Sequence, residues 1–281
     1  MHEYDVVHTG IDFGEGPRWH DGRLWFSDFY RQGVYSWTEA DGERLEVAID
    51  DRPSGLGWLP DGTLLVVAMT SRRLLAVDPA GAVRVHADLR DVAVEKCNDM
   101  VVSASGHAYV GNFGFDLETG ASFAPAHLAH VTPDGRVHRV DHPLRFPNGS
   151  VITADGSTLL VGETFGGRYT AFDLGDDGHP TNPRVWAEFA GLSPDGCCLD
   201  TDGAIWVADF VGKRFVRVHE DGSISREVAT DDHAVACMLG GPDGTTLYGF
   251  VSPGSHPDEV AGKGLTRIVA IETDASRAGL P

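Results

Sequence analysis

Four stretches of this 281-residue chain place polar residues where an apolar β pattern would not put them. Glu15 stands between glycines in GEGPRWH, and Asn98 and Asp99 precede the apolar run of KCNDMVV. Asn148 follows Phe146 and Pro147 in FPNGSVIT, and Asp195 sits in LSPDGCCLD. Asn98, Asn148 and Asp195 are separated by 50 and 47 residues, so a repeating fold would bring them to equivalent places. Two carboxylates and one or two amide oxygens are hard donors that suit Ca²⁺, Mg²⁺ or Mn²⁺ better than a thiolate-seeking metal; Zn²⁺ also accepts oxygen. Taken singly, Asn-Gly and Pro-Asp-Gly are ordinary turn sequences. Their shared spacing, together with Glu15, points to one cation site.

The elements that would position these residues are legible as a repeat. WHDGRLWFSDF, LPDGTLLVVAM, SASGHAYVGNF, TADGSTLLVGET, DTDGAIWVADF and GPDGTTLYGFV share a turn followed by an apolar, β-rich run. Their glycines, Gly22, Gly62, Gly106, Gly156, Gly203 and Gly244, recur at intervals of 40, 44, 50, 47 and 41 residues. Asp-Gly between alternating apolar residues is a strong hairpin signal, because glycine accepts positive φ. A second turn follows in most copies, at Gly42, Gly81, Gly135, Gly178 and Gly222. Two hairpins per 40 to 50 residues make a four-stranded antiparallel unit, so the expected fold is all-β: a six-bladed β-propeller forming a single domain over residues 1–281. In that fold each blade's innermost strand lines the central channel, and residues one blade apart meet at its mouth.

Composition narrows the function classes. The chain carries 22 Lys+Arg against 42 Asp+Glu, a net charge of −20, which argues against nucleic acid and anionic membrane surfaces as partners. MHEYDVVHTG has no basic and apolar leader, and no apolar stretch reaches membrane-spanning length. Four cysteines without CxxC spacing suggest neither zinc ribbon nor disulfide framework, so a reducing, cytoplasmic setting is expected. Cys197, Cys198 and Cys237 read as small buried hydrophobes, with Cys97 next to Asn98 the one to watch.

At this point the chain resembles the senescence marker protein / gluconolactonase group, the regucalcin-like lactonases built as six-bladed propellers. The resemblance is carried by GEGPRWHDGRLWFSD, the ND of KCNDM, PNG at 147–149, PDGCCLDTDGAIWVADF and ACMLGGPDGTTLY, and spans roughly residues 10–251. It implies that Glu15, Asn148 and Asp195 bind a single divalent cation. Ca²⁺ is the first choice, with Zn²⁺, Mn²⁺, Mg²⁺ and Fe²⁺ as alternatives. It further implies that Asp195 is the catalytic base and that Asn98 contacts substrate at the metal. The chain departs from the group at Lys96, where many sugar-lactone members carry Arg two residues before the Asn-Asp pair. Lysine keeps the charge but lacks the bidentate fork that suits polyols and carboxylates, which favours a different lactone or ester.

The expected activity is therefore metal-dependent hydrolysis of a lactone or ester by activated water, on a monomer or small homo-oligomer. A non-hydrolytic metal-dependent enzyme on the same site, or a non-enzymatic metal- or metabolite-binding propeller, is the alternative. Asn98 or Lys96 would be a second donor to the oxyanion. Asn112 and Glu163, with glycines beside them, and His233 in a channel-mouth loop are expected substrate contacts. His127 and His130 read as strand residues on opposite faces, unsuited to share a metal. The loop FGFDLETGASFAPAH, residues 113–127, is expected to form a lid or apolar wall with Phe113, Phe115 and Phe123.

Overall fold

The turn glycines set the architecture. In the computed structural model, which describes residues 3–281, Gly22, Gly62, Gly106, Gly156, Gly203 and Gly244 all lie at positive φ. Each closes a hairpin between an inner strand and the next strand outward. The result is six antiparallel sheets arranged as a six-bladed β-propeller, with one four-residue helix, Pro257–Val260. The inner strands are Gly14–His20, Pro53–Trp58, Cys97–Val102, Pro147–Ile152, Pro194–Asp200 and His233–Gly240. Among the described residues no helix is long and apolar enough to cross a membrane.

Two features close the ring. The N-terminal strand Asp5–Ile11 pairs with Thr266–Glu272 and so completes the sixth blade as its outermost strand. The C-terminal pair Arg277–Ala278 adds a fifth strand to the fifth blade by pairing with Leu199 and Asp200, and Leu280 bridges Ile152 of the fourth. These contacts lie at the end of the inner strands remote from Asp195. Packing between blades is aromatic and aliphatic: Phe26 meets Phe250 at 5.3 Å, within a buried cluster that includes Trp206, Phe215 and Met238.

Every inner strand carries a register irregularity near its start. In blade 4, for example, three steps from Pro147 to Ser150 match two from Glu163 to Val161. One residue is therefore extra on the inner strand, a β-bulge that turns side chains toward the axis. The glycine inside it is sterically required: a Cβ at Gly149 would stand 2.3 Å from the carbonyl oxygen of Asp195 on the neighbouring blade.

A carboxylate locks the start of three inner strands. Asp28, Glu163 and Asp209, each fully buried, end the second strand of blades 1, 4 and 5, opposite Gly14, Pro147 and Pro194. Each accepts a backbone N–H from the segment leading into its inner strand: Asp12 N at 2.9 Å, Arg145 N at 2.7 Å and Ser193 N at 3.0 Å. Each also pairs with an arginine of the third strand or the turn before it, Arg31, Arg168 and Arg214.

Blades 3 and 4 meet through histidines. His107 Nδ1 lies 2.8 Å from His130 Nε2, and His130 Nδ1 lies 3.3 Å from His179 Nδ1. Burial, reinforced by His107, His179 and His138, pushes the His130 pKa down to about 4. A depressed folded-state pKa means the unfolded chain takes up the proton first, so this contribution to stability is complete above about pH 6.5 and lost as pH falls toward 4. Thermal melts between pH 7 and pH 4.5 should therefore show a steeper loss of Tm for wild type than for His130→Phe.

Candidate active site

At the channel mouth the bulges bring four of the expected residues onto the floor of one cavity of about 270 Å³: Glu15, Asn98, Asn148 and Asp195. Each directly follows the residue that opens its inner strand's pairing, so the four occupy one position of the blade repeat. All are buried. Ser54 of blade 2 holds the same repeat position, its hydroxyl buried and unpartnered, but it is not among the described residues bordering the cavity. Sequence reasoning missed Ser54, although PSG at 53–55 has the same form as PNG at 147–149 and PDG at 194–196.

The hydrogen bonds fix how these groups face. Asn148 Nδ2 donates to Asp195 Oδ1 at 2.7 Å and to Thr164 Oγ1 at 3.2 Å, which leaves Asn148 Oδ1 buried without a partner. Glu15 accepts from the backbone N–H of Gly16 at 2.9 Å. Burial pushes the Asp195 carboxyl up to about 8, and the Asp99 charge adds to the shift against the Asn148 hydrogen bond. Burial likewise raises Glu15 well above the ordinary carboxylate range, with repulsion from Asp195 and Asp99 added.

Asp99 is held apart from this set. Adjacent residues of a strand point to opposite faces, and Asp99 pairs with buried Arg18 at 2.8 Å while Asn98 borders the cavity. Arg18 also donates to the carbonyls of Leu56, Pro17 and Met100, so one guanidinium ties the first three blades together beneath the floor. Arg18, three residues after Glu15, was not legible as an axial residue because the bulge between them changes the alternation.

The floor suits a hard cation. Among the described residues no group of three or more His, Cys, Asp or Glu side chains converges as a metal site. What converges is two carboxylates with an amide oxygen. The unpartnered Asn148 Oδ1 and the mutual repulsion of Glu15 and Asp195 are both relieved by a positive ion accepting oxygen donors.

Four expected contacts are not among the described residues bordering the cavity: Lys96, Asn112, Glu163 and His233. Glu163 is consumed by Arg168, Arg145 N and Thr170 in the clamp described above. Asn112 donates to the carbonyl of His127 at 2.7 Å. His233 stacks on Phe210 at 4.3 Å and bonds the Phe210 carbonyl at 2.8 Å, so it positions a wall residue. Lys96 turns to Glu118 at 3.4 Å and Asp116 at 3.8 Å, pinning the 113–127 loop, whose Phe113 and Leu117 do border the cavity. Cys97 is fully buried, and burial pushes its thiol up to about 12, which keeps it protonated.

The sequence profile described as SMP-30/Gluconolactonase/LRE-like region matches residues 13–250. The chain belongs to this family. A pentonolactonase from Haloferax volcanii is 27% identical over 266 residues, covering 92% of this chain and 88% of the relative. A luciferin-regenerating enzyme has the same fold, with a TM-score of 0.83 at 18% identity over 98% of this chain and 97% of the other. So does a regucalcin from Agrobacterium tumefaciens titled a calcium-binding protein: TM-score 0.80, 23% identity, 98% and 95% covered. Membership of the SMP-30/gluconolactonase family supports lactone hydrolysis as the class of reaction.

The clamp assignment of Glu163 has a measurable consequence. Glu163→Gln should lower unfolding free energy in urea by about 1–3 kcal/mol through a weakened buried network. KM for a hydrolysed lactone should stay unchanged; a raised KM with unchanged stability would return Glu163 to the substrate.

Proposed function

We propose that this protein is a divalent-metal-dependent lactonase in which Glu15, Asn148 and Asp195 hold the cation and Asp195 is also the general base. The observation that carries the reading is the buried, unpartnered Asn148 Oδ1 beside two carboxylates at the floor of the family's channel mouth. An all-oxygen donor set favours Ca²⁺, in keeping with the calcium-binding description of the Agrobacterium relative. A cation held there would supply Lewis acidity, polarising the lactone carbonyl and lowering the pKa of water next to it.

The chain's own groups do the rest. Asn148 engages Asp195 Oδ1, so Oδ2 is the oxygen assigned to the proton of the attacking water. The water oxygen bonds to the carbonyl carbon as Asp195 takes that proton. Asn98, on the same floor, offers its amide N–H to the oxyanion. When the oxyanion collapses, the ring C–O bond breaks and the proton passes from Asp195 to the departing alkoxide, giving the open hydroxy acid. Burial of the floor strengthens each of these interactions by excluding water.

Proton release from a lactone panel at constant pH, with elemental analysis of the purified protein, tests this reading. One equivalent of a divalent metal is expected, with activity lost to a chelator and restored by Ca²⁺. Asp195→Asn is expected to lower kcat about a hundredfold to ten-thousandfold. A metal-replete protein that opens no lactone sinks the proposal.

A further inference from the structure

We infer that the lactone taken by this site carries an apolar alkyl or aryl substituent rather than the hydroxyl groups of a sugar. This rests on the lactonase reading above and specifies its substrate class. Above the polar floor the cavity is walled by aromatic side chains. Phe113 and Phe146 approach to 4.6 Å, Phe146 and Phe165 to 5.2 Å, and Phe115 backs the group from 5.7 Å behind Phe165. Blade 1 adds Phe13 and Phe29, 5.0 Å apart, and blade 5 adds Phe210, held by its stack on His233.

Apart from Asn98 of the floor and the hydroxyls of Ser193 and Ser255, the polar groups near the mouth that would read a polyol are engaged elsewhere. Among the described residues bordering the cavity, the only charged ones are Glu15 and Asp195 of the floor. Thr164 spends its hydroxyl proton on the Pro194 carbonyl at 2.7 Å and accepts from Asn148. Lys96 faces Glu118 and Asp116, and Arg52 binds Glu118 at 2.6 Å. Arg145 donates to the Phe165 carbonyl at 3.0 Å and lies over the Phe123 ring at 5.0 Å. Three cations near the mouth thus hold the aromatic wall in place. Sugar hydroxyls entering here would leave water for phenyl faces that return no hydrogen bond.

The wall is also built at a conformational cost. Phe146 has φ +67, a region bulky residues avoid, and it precedes a proline. Strain of this kind persists where surrounding contacts impose it; the Phe146 carbonyl accepts from Thr164 N at 3.1 Å, and its ring packs into the wall. At the rim Phe165 and Leu117 remain 45% and 43% exposed, apolar surface that a substituent would cover. A volume of about 270 Å³ accommodates one small ring with a short chain.

The test compares kcat/KM of the metal-replete protein on δ-decalactone, unsubstituted δ-valerolactone and D-gluconolactone. Preference for δ-decalactone over D-gluconolactone by about tenfold or more is expected; equal or better use of the sugar lactone overturns the inference and leaves the lactonase reading intact. A Leu117→Ser, Phe165→Ser variant removes apolar surface from the rim of the wall. It should raise KM for δ-decalactone several-fold and by more than KM for δ-valerolactone, whereas an unmoved KM, or an equal rise for both lactones, counts against the inference. Calorimetry with non-hydrolysable lactams, a 6-alkyl piperidinone and D-gluconolactam, reads the site without turnover. If no lactone is opened, the lactonase reading fails, and tighter binding of the alkyl lactam still upholds an apolar site, while tighter binding of gluconolactam overturns it.

Discussion

Like-charge repulsion at a buried axis is the constraint on which the rest of this propeller depends. Glu15, Asp99 and Asp195 approach one another where the inner strands meet, and the buried Arg18 opposes them. The structure resolves the crowding unequally. Asp99 receives the guanidinium and becomes part of the packing that joins blades 1, 2 and 3. Glu15 and Asp195 receive no such partner; burial raises both carboxyls, and repulsion from neighbouring carboxylates adds to the shift. A cation held between them would relieve the repulsion that this geometry imposes.

Holding two repelling carboxylates in place demands a rigid backbone, and the clamps supply it. Buried carboxylate–arginine pairs lock the strand starts of blades 1, 4 and 5, the blades that carry Glu15, Asn148 and Asp195. Blade 3, which contributes Asn98, has Asn112 at the equivalent place, bonded to the His127 carbonyl ahead of its third strand. Three of the carboxylates that do not reach the floor are therefore structural: Asp28, Glu163 and Asp209 fix direction for their neighbours.

Most of the fold was legible in the sequence because a propeller is a local pattern repeated, and turn glycines mark each copy. The floor residues were legible for the same reason: Asn98, Asn148 and Asp195 share one place in the repeat. What escaped depends on side-chain direction and on partners distant in sequence. Glu163 and Asn112 stand at strand ends as a ligand would, but only the packed structure shows Arg168 and the His127 carbonyl already there. Lys96 kept its charge and lost its access, because the 113–127 loop folds two carboxylates over it. The aromatic wall draws on blades 1, 3, 4 and 5, a grouping no local window contains.

The pairing of Asp5–Ile11 with Thr266–Glu272 has a thermodynamic meaning beyond closure. The seal joins segments distant in sequence, as the floor does with Glu15 and Asp195, 180 positions apart. If the seal opens, water reaches the carboxylates, their repulsion fades and their proton affinities relax toward those of a free side chain. Chemistry and topology are thus coupled: the burial that perturbs these acids comes with the closed circle.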